Sequence, residues 1–186
     1  MSNLIIFLGP PGAGKGTQAV TISKEKNLAH ISTGDMLREH VSKETELGKI
    51  AKTLLDEGKL VPDSLVIEML QERLLSKDCV NGAILDGFPR TIAQAESLDK
   101  ISDEFKISKV IVFEADRDEL IKRILNRGET SGRSDDTQES VSVRLEVYEK
   151  DTAPLIEYYE QENLVAKINA VGEVENIYNL ILKEFE

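Results

Sequence analysis

Apolar positions along the chain follow two rhythms. Short, nearly unbroken apolar runs occupy residues 3–8, 29–31, 83–85, 110–113 and 165–168. They do not alternate with polar residues, so each predicts a strand covered on both faces. Between them, apolar residues recur at helical spacing over residues 15–26, 34–57 (broken near Gly48), 63–76, 91–101, 116–126, 137–152, 154–162 and 173–185. Pro154 lacks an N–H and predicts a boundary between two helices. Strand and helix in alternation imply right-handed crossovers and a parallel sheet between helical layers. The expected class is α/β, a three-layer α/β/α domain on a five-stranded parallel sheet. Ligands then gather beyond the carboxyl ends of the strands.

No internal repeat or low-complexity tract divides the 186 residues, which read as one domain. Two segments do not look like core. Residues 32–61 form a polar helical excursion closing with Gly58-Lys59-Leu60-Val61-Pro62, and residues 128–136 read Gly-Glu-Thr-Ser-Gly-Arg-Ser-Asp-Asp. Both predict mobile flaps over a site, the second with Arg127 as its first residue. The expected core is then 1–31, 62–126 and 137–186.

The first strand runs directly into Gly-Pro-Pro-Gly-Ala-Gly-Lys-Gly-Thr at residues 9–17. Glycines let backbone N–H groups turn toward a phosphate chain and approach it closely. A helix start adds the positive end of its dipole, and Lys15 adds a mobile cation. This is the P-loop pattern, with one departure. The usual magnesium-binding Ser or Thr after the lysine is Gly16 here, and Thr17 follows.

Charge sharpens this reading. Twenty-three Lys and Arg against 34 Asp and Glu leave a net charge of −11, which argues against a broad nucleic-acid or anionic-membrane surface. A site for polyanionic nucleotides must therefore concentrate its cations locally. No apolar run approaches the length of a membrane span, and no basic leader opens the chain. The single cysteine, Cys79, excludes an internal disulfide and a multi-cysteine zinc site, and reads as a small buried apolar residue. A soluble protein of a reducing, cytoplasmic compartment is expected.

Candidate chemistry clusters after strand ends. Asp86 ends a strand; it either holds magnesium opposite the P-loop or forms a turn before Gly87. Arg90 follows in Gly87-Phe88-Pro89-Arg90, well placed for bidentate phosphate binding. Ser32 or Thr33 caps the next helix or serves a site, with Arg38 one turn in. Thr91 and Gln94 match a capping box, so Gln94 reads as a cap or as a ligand contact. Arg123 and Arg127 share a helix face, and Glu119 can pair with Arg123. Arg133 and Arg144 complete four arginines around the second flap, while Asp135 and Asp136 either pair with them or cap the following helix. His30 reads as a packing residue, not a base.

Taken together, residues 9–17, Ser32-Thr33-Gly34-Asp35 with Arg38, Leu85 through Arg90, Gly132-Arg133, Asp135-Asp136 and Arg144 resemble the adenylate kinase family over essentially the whole chain. The second flap is short and without cysteine, similar to the family's small-lid form, so no zinc is expected. The resemblance implies a monomer acting on ATP, AMP and ADP with magnesium, and makes Gly16 a normal member of its loop. It assigns Gly12, Ala13, Gly14, Lys15, Gly16, Thr17, Arg127 and Gly172 to ATP. Thr33, Arg38, Lys59, Leu60, Val61, Gly87, Phe88, Pro89, Arg90 and Gln94 fall to AMP. Lys15, Arg90, Arg123, Arg133 and Arg144 fall to the transferring phosphoryl group and bound phosphates, and Asp86 to magnesium, through water. Residues 32–61 become an AMP-binding flap and 127–136 a short lid. Thr33 with Gln94 favours AMP over UMP or CMP, since a Gln amide offers one donor and one acceptor to a base edge. A UMP/CMP kinase, a switch GTPase and a catalytically dead nucleotide sensor are the rivals. The chain has no Asn-Lys-x-Asp guanine motif.

Overall fold

The computed structural model describes residues 2–101, 105–131, 133 and 135–185. Of the expected second flap, Gly132 and Ser134 lie outside the described residues.

Each apolar run forms a strand: β1 (Ser2–Leu8), β2 (Ala29–Ser32), β3 (Gly82–Asp86), β4 (Phe105–Glu114) and β5 (Val165–Asn169). The strands form one sheet in the order β2-β3-β1-β4-β5, every pair parallel. β1 is central. Leu4, Ile6 and Leu8 pack into one apolar layer, Ile5 and Phe7 into the other, which is why its run does not alternate. The connection from β3 to β4 jumps across β1, so the carboxyl end of β1 is where the direction of winding reverses and a ligand crevice opens.

Around the sheet lie α1 (Lys15–Lys26), α2 (Thr33–Ser42), α3 (Glu46–Asp56), α4 (Asp63–Leu74), α5 (Ile92–Leu98), α6 (Arg117–Ser131), α7 (Gln138–Val147), α8 (Pro154–Glu160) and α9 (Val174–Lys183). Cys79 is buried in the core, within a short 3-10 turn.

Two boundaries depart from the sequence pattern. The helix expected over 34–57 breaks at residues 43–45, not at Gly48. Thr45 caps α3 by accepting the Gly48 N–H (3.0 Å). Gly48 instead lets α3 cross α2, because a Cβ there would sit 2.0 Å from the His40 carbonyl oxygen. The excursion also contributes to the core through Leu37, Ala51 and Val61. Second, α6 runs on through Ser131, one turn into the segment expected to be flexible. The Thr130 hydroxyl bonds back to the Asn126 and Arg127 carbonyls at 3.3 and 3.2 Å. Pro154 does mark a boundary, as the first residue of α8. A single π-helical turn, Tyr148–Thr152, carries α7 into α8, with the Ala153 N–H reaching the Tyr148 carbonyl at 2.8 Å. The wider turn absorbs the ladder bond that proline cannot make.

Candidate active site

The loop between β1 and α1 wraps an open anion site. Gly14 sits at the N-cap of α1 with φ 85°, and no side chain among the described residues caps that end. Its first N–H groups therefore have no intrahelical partner and are available to an anion. Lys15 folds back over the loop, its Nζ donating to the carbonyls of Gly9 (2.7 Å) and Pro10 (2.9 Å). Burial lowers the Lys15 pKa to about 8; Asp86 opposes the shift, while Arg90, Arg144 and Arg127 add to it.

The loop opens into a cleft of about 440 Å³. Five of the eight arginines line it, Arg38, Arg90, Arg127, Arg133 and Arg144, together with Lys15. A smaller pocket adjoins it, lined by Thr33, Lys59, Leu60, Val61 and Gln94, and shares Arg38, Arg90 and Arg144 with the cleft. An acidic chain thus gathers its guanidinium groups in one place.

Carboxylates bridge these cations in pairs. Asp136 accepts from Arg127 at 2.7 and 2.6 Å and from Arg144 at 2.9 Å, with its side chain fully covered. Burial pushes the Asp136 carboxyl up, but these two guanidinium groups outweigh it and hold it below the usual range. Thr137, not Asp136, caps α7, accepting the Ser140 N–H at 3.2 Å. Asp35 accepts from Arg38 on its own helix and, at 3.2 Å, from Arg133. Burial, with neighbouring Arg144 adding to it and Asp86 opposing, lowers the Arg90 pKa to about 10.

The turn after β3 is bound from several sides. Thr33 Oγ1 donates to the Gly87 carbonyl (2.7 Å), and so does Arg90 Nε (2.8 Å). Gly87 has φ 81°, where a side chain is strained, and a Cβ there would also press on Arg90 Nη2 at 2.9 Å. Thr152, carried inward by the π-turn, donates to the Arg90 carbonyl at 2.8 Å. Gln94 is buried; its N–H is capped by Thr91, but its amide does not reach back to the Thr91 N–H as a capping box requires. It takes the Arg90 N–H (2.7 Å) and donates to Asp63 (2.8 Å) instead.

Four expected residues stay away from the cavities. Ala13 and Phe88 turn their side chains into the core, each 1% exposed. Arg123 binds Glu119 (2.8 Å) and the Ala170 carbonyl (2.9 Å), tying α6 to the end of β5, and lines neither cavity. Gly172 lies in an exposed turn after β5, also outside both. Val20, His30, Asp35, Tyr148 and Thr152 line the cleft without having been singled out for it. The π-turn that delivers Tyr148 and Thr152 has no signal in the sequence beyond Pro154 itself.

Asp86 lines the cleft opposite the loop, its Oδ2 3.3 Å from where a Gly16 Cβ would stand and 3.5 Å from His30 Nε2. No group of three or more metal-ligating side chains occurs among the described residues. One carboxylate beside a phosphate loop fits magnesium, which keeps most of its waters and takes phosphate oxygens. It does not fit a cation that needs a full protein cage.

A glycine loop opening a helix at the sheet's reversal point, faced by arginines across a two-part cleft, defines a P-loop phosphotransferase of the nucleoside monophosphate kinase type. A family model described as adenylate kinase matches residues 7–164. The chain is 49% identical to an adenylate kinase of Parabacteroides distasonis, covering 97% of this chain and 96% of that protein. It is 46% identical to one of Leptospira biflexa, over 96% and 97% of the two chains. A Thermus thermophilus adenylate kinase is 44% identical, over 94% and 92%. The chain belongs to the adenylate kinase family. No helix among the described residues is long and apolar enough to cross a membrane.

Proposed function

We propose that the chain transfers the terminal phosphoryl group of ATP to AMP, reversibly, giving two ADP. The observation that carries this is the pair of adjoining cavities with Arg38, Arg90 and Arg144 common to both. Two phosphate chains entering from opposite sides would meet between them. The P-loop takes the donor phosphates. The smaller pocket takes the acceptor base, with Thr33, Gln94 and residues 59–61 around it.

The acceptor phosphate is already an anionic nucleophile, so no general base is needed. Alignment and charge neutralisation carry the reaction. Lys15, Arg90, Arg133 and Arg144 neutralise the converging oxygens. Arg127 is held toward the donor side by Asp136. Arg123 ties α6 to the end of β5 through the Ala170 carbonyl. Asp86 would hold magnesium, by way of water, and the ion would spread the phosphate charge. Residues 32–61 and 127–136 act as flap and lid that close over the nucleotides and exclude water, which otherwise competes as acceptor.

A coupled assay of ADP formation with AMP, UMP, CMP and GMP as acceptors tests the reading. AMP is expected to be turned over far better than the other three. Preference for a pyrimidine acceptor, or no transfer at all, would sink it.

A further inference from the structure

A carboxamide offers an acceptor and a donor of nearly the same shape, and turning it by half a revolution exchanges them. Gln94 has no such freedom. Its Oε1 accepts from the Arg90 backbone N–H at 2.7 Å, and its Nε2 donates to Asp63 Oδ1 at 2.8 Å. A backbone N–H can only donate and an ionised carboxylate can only accept. Reversing the amide would set donor against donor and acceptor against acceptor, in a side chain only 2% exposed.

Asp63 is itself fixed. It opens α4, and its second oxygen accepts from Thr91 Oγ1 at 3.1 Å. The same Thr91 oxygen caps α5 by accepting the Gln94 N–H at 3.2 Å. Gln94 lines the smaller pocket; Asp63 stands behind it and does not. One lone pair on Oε1 and one hydrogen on Nε2 are left for a ligand, in an order set before it arrives.

The geometry points to Asp63 as a positioning residue that makes the acceptor pocket select 6-aminopurine over 6-oxopurine monophosphates. The inference rests on the smaller pocket being the acceptor-base site. Adenine presents a 6-amino donor beside an N1 acceptor, which the held amide matches. A 6-oxopurine presents the reverse, an O6 acceptor beside an N1–H donor. It can pair only with the reversed amide, which Asp63 and the Arg90 N–H both oppose.

The test is steady-state kinetics with AMP and with inosine monophosphate for wild type, Asp63→Asn, Asp63→Ser and Thr91→Val. Asn or Ser at 63 can either donate to or accept from Gln94, so only the Arg90 N–H still opposes the reversed amide. The ratio of kcat/KM for AMP to that for inosine monophosphate is expected to fall about tenfold or more in both variants. The change should lie in the KM values of the acceptors, with KM for ATP unmoved. Thr91→Val disturbs the same helix start but leaves the carboxylate facing Gln94. It should lower the melting temperature and keep the AMP preference. An unchanged ratio in the Asp63 variants overturns the inference, as does an equal fall in Thr91→Val, or a wild type that does not discriminate the two purines. A wild type that prefers pyrimidine acceptors overturns the reading of the pocket instead.

Discussion

Lys15 shows how one residue couples burial to function. Its ammonium group is held on the Gly9 and Pro10 carbonyls at the floor of the cleft, where burial brings its pKa down to about 8. The folded value lies below the ordinary lysine value of 10.5. Between those two pH values the unfolded chain binds the extra proton and the folded chain does not, so this group makes stability rise with pH across that window. Its effect on nucleotide binding has the opposite sign, because the neutral amine no longer attracts phosphate. The kcat/KM for ATP, which reports groups of the free enzyme, is expected to fall as pH rises through about 8. A profile that stays flat through that region would show that Lys15 titrates elsewhere. The residue's role was legible because its spacing from the glycines is a covalent property of the chain. Its perturbed acidity was not, because it depends on Arg90, Arg127 and Arg144, which lie far away in sequence.

At the scale of elements, glycine carried two meanings that the sequence does not separate. Gly48 reads as a helix breaker, yet it lies inside α3 and marks the place where that helix crosses the end of α2. The clash that a side chain would make is with backbone, which cannot rotate away. Gly48→Ala should therefore lose about 2 kcal/mol or more of stability, even though alanine is worth about 1 kcal/mol more than glycine in a helix interior. Urea titration measures the difference, and an unchanged or raised midpoint would mean that the two helices can move apart at no cost. Pro154 was legible as a helix boundary, since α8 begins there, but the π-turn before it, which brings Thr152 onto the Arg90 carbonyl, was not. Strand positions were easier to read, since a continuous apolar run buried on both faces has few other uses.

For the whole molecule, the organising fact is that an acidic protein gathers five arginines and a lysine into one cleft and balances them with carboxylates. Asp35 pairs with Arg38 and with Arg133, 98 residues from Asp35 in sequence, and Asp136 joins Arg127 to Arg144. On the proposed function, nucleotides filling the cleft would add phosphates to these contacts and draw the surrounding segments together. Opening to release ADP is then expected to limit turnover, so rapid-quench measurement of the first turnover should show a burst faster than the steady-state rate. Equal rates would place the limit at phosphoryl transfer. The residues along the chain were enough to specify the parallel α/β fold, the phosphate loop and most of the arginines of the site, because strand burial and motif spacing are local and covalent. Only the folded chain decided which cations face the cleft, turned Arg123 toward Ala170 and Phe88 into the core, and placed Asp63 behind Gln94. Those outcomes depend on contacts between elements far apart in sequence, and no local pattern encodes how such elements meet.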